Sequence, residues 1–286
     1  MPSPGGSTSS APKTPVEVTQ PALSDPVGFV LAAFAPLANA RKGREMAAYM
    51  RTTQPFLGIN DPERRPVYKE LCRLFAPRNA SGYRATTLAI WHAGVHGDSD
   101  ASVDSPDGPG AAGPARQPRR DSKMLPPEHT GPREVMYAAV AYAAHFSDHH
   151  SVEHLPLYKR LVSEGGWWDI GDWVSNRIVA SVMLKERSRT AAVMRKWIHD
   201  EVLWVRRAAI LSQMGHKEQT DQRLLFEFSL DRAEEEDFFI RKAIGWALRA
   251  YARTEPDAVR DFLAKNKKKL STLTIREAGK HLNDPN

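Results

Sequence analysis

The stretch that decides the fold is Trp204-Val-Arg-Arg-Ala-Ala-Ile210. Its centre, Val205-Arg-Arg-Ala-Ala209, returns in outline 35 residues later as Ile240-Arg-Lys-Ala-Ile244, and after another 35 as Ile275-Arg-Glu-Ala-Gly279. Stepping backwards by the same interval reaches Ile170-Gly-Asp-Trp-Val174 and Val135-Met-Tyr-Ala-Ala139. The first position is Val or Ile in all five segments, and the fourth is Ala in four of them. An unbroken ladder of this kind marks a repeat array. Each period has room for two helices, so the spacing predicts an all-α fold: an α-α superhelix (solenoid) of HEAT-like repeats, with a concave face for binding.

The surrounding sequence agrees. Segments 65–76, 190–214 and 237–254 place apolar residues at helical spacing, and good helix formers dominate. No alternating strand pattern with hairpin turns appears. Breaks are expected at Gly165-Gly166, Gly215 and the Glu255-Pro256 junction. Two segments are too rich in Gly, Pro, Ser and charge to bury much: residues 1–22, read as a disordered tail, and 95–132, read as a disordered loop inserted into one repeat domain over 23–286.

Composition narrows the function classes. The chain has 286 residues with 40 Lys and Arg against 34 Asp and Glu, a formal charge of +6. From Ser181 onward there are 21 basic and 16 acidic residues, so nearly all the excess lies in the last third. A basic surface concentrated in one region points to an anionic partner. Cys72 is the single cysteine, which excludes a disulfide framework or a multi-cysteine zinc site and fits a reducing cytoplasm. No run of eighteen or more apolar residues could span a membrane. The first 21 residues lack the basic start and apolar core of a secretion signal, and carry no arginine of the kind a transit peptide uses.

The repeat register then sorts the unusual residues. The third position of the five units holds Tyr137, Asp172, Arg207, Lys242 and Glu277. Equivalent positions in stacked repeats point the same way, and residues four apart share a helix face. The shift from Asp172 reaches Trp168, and that from Lys242 reaches Trp246. The spacing therefore predicts that Trp168, Asp172, Arg207, Lys242 and Trp246 line one strip. Unpaired burial of the cations would cost several kcal/mol, so the strip is expected on the surface. Arg and Lys would meet phosphate oxygens there, and tryptophan faces would pack on sugar or base.

A carboxylate repels phosphate, so Asp172 needs a separate reason. Cleavage of an N-glycosidic bond builds positive charge on the sugar, and a fixed carboxylate stabilises that charge. A base made cationic by alkylation leaves without a general acid. One carboxylate then suffices, with no metal or cofactor.

These residues also carry a family resemblance. The stretches Tyr49-Met-Arg51, Pro55-Phe-Leu-Gly-Ile59, Trp167-Trp-Asp-Ile-Gly-Asp172, Trp204-Val-Arg-Arg-Ala-Ala-Ile210 and Phe238-Phe-Ile-Arg-Lys-Ala-Ile-Gly-Trp246 resemble the AlkD-like DNA alkylation repair enzymes. The resemblance covers most of 23–286 outside the inserted loop. It implies a DNA glycosylase that excises N3- and N7-alkylated purines from duplex DNA without flipping the base into a pocket. By motif position it implies Asp172 as the catalytic aspartate, Trp168 and Trp246 as the cleft tryptophans, Arg207 as a phosphate ligand, and Tyr49 as a further DNA contact. Lys242 joins the DNA contacts by repeat position alone. The implied partner is alkylated double-stranded DNA, with the protein a monomer near the nucleoid of a bacterial cytoplasm. Two departures stand out: the 95–132 loop is longer than the family pattern, and Gly171 lies inside the signature, where it could loosen a helical turn.

Other readings compete with these. A carboxylate after Gly165-Gly166 can simply favour a helix N-terminus, which suits Asp169 better than Asp172. Trp167, Trp173, Trp197 and Trp204 are assigned to the core, and Arg206 to a surface ion pair. His145, His149, His150 and His154 contain two i, i+4 pairs that could bind zinc, but Ser147-Asp148 reads as a turn and the cluster as a solvated connection. A non-catalytic HEAT-like protein recognising unusual DNA structures, or a protein-binding scaffold, remains the alternative function.

Overall fold

The structure, a computed structural model, describes residues 25–97 and 129–282. Its helices are α1 (Pro26–Phe34), α2 (Ala40–Met50), α3 (Asp61–Leu74), α4 (Ala80–His96), α5 (Arg133–His145), α6 (Leu155–Gly165) and α7 (Trp168–Trp173). A π-helical turn, Val174–Val179, joins α7 to α8 (Ala180–Lys185). Then follow α9 (Arg187–Trp197), α10 (Leu203–Ile210), α11 (Gln222–Asp231), α12 (Phe238–Ala252), α13 (Pro256–Lys265) and α14 (Thr272–Ala278). No strand occurs among the described residues.

Local chemistry sets the helix starts. The side chains of Asp25, Asn39, Asn79, Asp221, Asp237 and Ser271 accept otherwise unpaired amides of the following turn. Pro26 and Pro256 open their helices, where a missing N–H costs nothing.

The 35-residue ladder is physical. Its segments lie on α5, α7, α10, α12 and α14, and each packs against the next to build an α-α superhelix. Helices α6, α9, α11 and α13 alternate with them as the second layer. Val135, Ile170, Val205 and Ile240 are fully buried, and Ile275 packs against the same core. Ala138, Ala208, Ala243 and Ala278 are fully buried too, small enough to let neighbouring helices close. Aromatic mass ties successive units together: Trp167, Trp204 and Phe239 form a triangle with ring centroids 5.0–5.4 Å apart. Trp197 is buried, and Trp173 packs against Tyr68 and Tyr137.

The structure revises several expectations. The inserted segment is narrower than 95–132. Helix α4 runs to His96, and the chain returns at His129 already tied down: the Thr130 amide donates to Val95 O and its hydroxyl to His96 O. The proposed tail and the middle of the loop lie outside the described residues. Gly165-Gly166 ends α6 rather than starting the next helix. Gly166 takes the left-handed conformation (φ 56°), and a Cβ on Gly165 would stand 2.7 Å from Ile170 Cγ2. The histidine segment is not a solvated connection. His150 and His154 are buried, His150 is hydrogen-bonded to Ala143 O and His154 to His149 O, and His149 stacks on Tyr83. Among the described residues no group of three or more His, Cys, Asp or Glu is placed to hold a metal ion, and no helix is long and apolar enough to cross a membrane.

His216, buried beside the α10–α11 connection and hydrogen-bonded to Ala180 O, has its pKa pushed down to about 4 by burial. A depressed folded-state pKa means the unfolded chain binds the extra proton first, from near pH 6.5 downward. This histidine should therefore withdraw stability as pH falls from about 6.5 to about 4, at up to roughly 1.4 kcal/mol per pH unit. Urea unfolding at several pH values should show that slope in the wild type and a shallower one in His216→Gln. Parallel curves would remove His216 from the acid response.

Candidate functional site

Two members of the strip expected from the repeat spacing, Asp172 and Arg207, meet, but as an ion pair rather than as free charges. Arg207 on α10 grips Asp172 on α7 through two parallel hydrogen bonds: Nε to Oδ1 at 2.7 Å and Nη2 to Oδ2 at 2.8 Å. Its remaining terminal nitrogen donates to Phe239 O at the start of α12. One guanidinium thus joins three successive ladder helices. Arg207 is only 6% exposed, and the Asp172 side chain is largely covered. The same step recurs one unit on, where Lys242 Nζ lies 3.2 Å from Glu277 Oε1. Third-position residues 35 apart therefore pair as Asp172–Arg207 and Lys242–Glu277.

Asp172 rests on a second ion pair on the adjoining face of α7. Arg133, completely buried, donates Nε to Asp169 Oδ2 at 2.8 Å and Nη2 to Asp169 Oδ1 at 2.7 Å. Tyr137 also donates its hydroxyl to Asp169, at 2.5 Å. Asp169 is thus a buried-network acceptor, not only a helix-terminus charge. Arg133 further donates to Gln54 Oε1 and Gly165 O. Its neighbour Glu134 accepts the amides of Leu57, Gly58 and Ile59, so the loop after α2 is fastened to the start of α5. Tyr137 lies beneath Arg64, whose guanidinium carbon is 4.5 Å from the ring centroid. Burial holds its hydroxyl well above the ordinary tyrosine pKa.

Trp168, one turn before Asp172 on the same face of α7, and Trp246 on α12 are both half-buried against the core. Each ring therefore retains exposed surface. Tyr49 stands out on α2 at 76% exposure, on a different element from the strip. Lys242 keeps partial access to solvent. Arg207 departs from expectation: with all three nitrogens engaged and little surface exposed, it positions the carboxylate rather than waiting free for a phosphate. Arg206 forms an ion pair with Glu235, as expected, although both side chains are mostly covered.

Gly171 does not loosen α7. It is buried in a regular turn, donates to Trp167 O, and accepts the Ser175 hydroxyl. A Cβ there would meet Trp204 Cε3 at 4.0 Å, an ordinary contact.

Sequence reasoning missed Arg133, Gln54, Glu134 and Glu277 as partners of the site. The 35-residue register held one usable signal: opposite charges at adjacent third positions, Asp172 with Arg207 and Lys242 with Glu277. The Arg133–Asp169 pair lies 36 residues apart, one off the repeat step and outside the third position, so the register did not point to it.

A helical stack whose successive ladder helices are joined by such ion pairs defines a repeat-built class, and comparison with known proteins supplies its family. The profile of the DNA alkylation repair enzymes matches residues 30–103 and 129–282, and the chain belongs to that family. Its role is in DNA alkylation repair. A solved structure described as a predicted DNA alkylation repair enzyme from Enterococcus faecalis is 25% identical, with a TM-score of 0.68, covering 87% of this chain and 98% of the other. The crystal structure of smu.31 from Streptococcus mutans UA159 is 16% identical, with a TM-score of 0.50, covering 84% and 98% respectively, and shares the fold. No curated protein matches.

The ion pair leads to two stability tests. Arg207→Ala leaves a covered carboxylate without its cation and should cost about 3 kcal/mol. In a double-mutant cycle with Asp172→Asn, urea unfolding should give a coupling of at least about 1 kcal/mol; additive effects would mean the pair contributes nothing. Gly171→Ala should stabilise the protein by up to about 1 kcal/mol, because it removes backbone freedom from the unfolded chain at a compatible site. A lower melting temperature would contradict that reading of the turn.

Proposed function

We propose that the chain is a monofunctional DNA glycosylase that hydrolyses the N-glycosidic bond of N3- and N7-alkylated purines in duplex DNA and leaves an abasic site. The observation that carries this reading is a carboxylate, Asp172, locked in place by Arg207 on the strip that bears Trp168 and Trp246. DNA lies along the concave face of a HEAT-like array. Trp168 and Trp246 pack on the deoxyribose at the lesion, with no extrusion of the base into a pocket.

The alkylated purine is already cationic, so the C1′–N bond breaks with its electron pair going to the base, which leaves neutral. Positive charge grows on the sugar and faces Asp172, whose carboxylate stabilises it and orients the attacking water. Water adds to C1′ and gives up its proton to bulk solvent. No amine nucleophile takes part, so the strand stays intact. Arg207 has two effects. It fixes the carboxylate before reaction, so little reorganisation is needed in the transition state, and it cancels the repulsion between Asp172 and nearby phosphates. Tyr49 and Lys242 add DNA contacts, and the protein acts as a monomer in the cytoplasm.

The same ion pair supports one rival. A carboxylate with both oxygens engaged by arginine also suits a non-catalytic DNA-binding array. Release of 7-methylguanine or 3-methyladenine from methylated duplex DNA separates the two readings. Wild type should liberate free base and leave alkali-labile sites without direct strand breaks, and Asp172→Asn should be slower by about a hundredfold or more. Equal release by both proteins would remove Asp172 from the chemistry, and binding without release from any lesion would establish the rival.

A further inference from the structure

Beyond Trp246 the same face of α12 continues to Arg249, three residues on, and Arg253 caps the helix C-terminus seven residues on. These side chains border a cavity of about 630 Å³ between α12 and the 211–220 connection, with Trp246 itself in the lining. Lys217 contributes from the opposite wall and Glu218 is the acidic member of the lining.

Two features make this more than a surface hollow. The first is charge. Glu277, almost fully buried, lies within ion-pair distance of three cations at once: Lys242 at 3.2 Å, Arg249 at 3.2 Å and Lys280 at 2.9 Å. One carboxylate cannot neutralise three cations, so positive charge is left in excess beside Trp246. Arg253 adds to it, since its guanidinium meets His281 Nε2 at 3.1 Å instead of a carboxylate. The second is rigidity. Lys217 holds a left-handed backbone (φ 51°), which a side-chain-bearing residue adopts only when its surroundings enforce it. The connection that enforces it is tied down on several sides. Gln213 bonds both the amide and the carbonyl of Asp221, Arg187 donates to Gln213 and to Gln219 O, and His216 holds Ala180 O.

We infer that this cavity is a phosphodiester site, which takes the backbone of a DNA strand as it leaves Trp246 and passes between Lys217 and Arg253. The inference rests on the proposed DNA reading and extends it to a site outside the Asp172 strip. Phosphate supplies the negative charge that Glu277 and Glu218 do not. The cavity's continuity with Trp246 gives the strand its direction along α12.

The test measures affinity for an undamaged duplex as a function of salt. Each phosphate contact made by a cation adds about 0.9 to the slope of log K against log salt. Lys217→Ala/Arg253→Ala leaves the Glu277 cluster and the core intact, and should lower the slope by about 2 and weaken binding by about tenfold or more at moderate salt. The charge-matched Lys196→Ala/Arg223→Ala variant changes exposed cations on α9 and α11, in the other layer, and should keep the wild-type slope. A Lys217/Arg253 slope equal to wild type would overturn the site while leaving the DNA reading standing. An equal loss in both variants would reduce the effect to overall charge and overturn it as well. Failure of the wild type to bind duplex DNA at low salt would overturn the site together with the DNA reading.

Discussion

An arginine that surrenders its hydration must be met by a carboxylate of matching geometry, and much of this structure follows from that requirement. Arg207 is met by Asp172 and then by a backbone carbonyl of the next helix. Helix α10 therefore cannot rotate or slide without breaking charge-assisted hydrogen bonds on both sides. Removing one partner of such a pair costs several kcal/mol, comparable with the entire net stability of many domains. The apolar ladder brings the helices together, and the buried pairs decide how they are phased against one another.

The same constraint reaches back toward the N-terminus. The loop after α2 hangs on Glu134 through three consecutive amides and on Gln54 through its side chain. Gln54 accepts from Arg133, and Arg133 grips Asp169, three residues before Asp172. The loop after α2 is thus tied, by contiguous hydrogen bonds, to Asp169 on the helix that carries Asp172. Residues 98–128 lie in sequence between the halves of this network, and the chain on either side is fastened by Thr130 and His129 to α4 and to Glu164 O.

The fold was legible because it is periodic. Val135, Ile170, Val205 and Ile240 announce a buried seam, and the intervening alanines announce close helix packing, before any coordinate is known. The meeting of Asp172 and Arg207 was legible for the same reason, since they hold the same position in adjacent repeats. What spacing could not reveal was the direction of the charges. A row of charged residues reads as a surface for an external anion unless its members alternate in sign and reach one another. The histidine turn escaped for a different reason: short irregular segments carry no period, and His154 is covered by Tyr83 from a distant helix while His150 packs on Tyr158 and bonds Ala143 O. Asp169 looked like a helix-terminus charge because its partner, Arg133, stands 36 residues away, one off the repeat step and outside the third position that sorted the other charges.

The π turn between α7 and α8 has a consequence for how one helix serves two neighbourhoods. A π turn accommodates an extra residue relative to an α-helix, and one residue corresponds to about 100° of rotation around the axis. Ahead of the turn, Trp168 is half-buried and Asp172 pairs with Arg207; after it, Val182 and Met183 are fully buried in the core. The turn acts as a phase shifter, letting the polar programme of the first half and the apolar programme of the second be written separately into one continuous rod. Shortening it by a single residue would set one half against the other, so chain length there is constrained as tightly as side-chain identity.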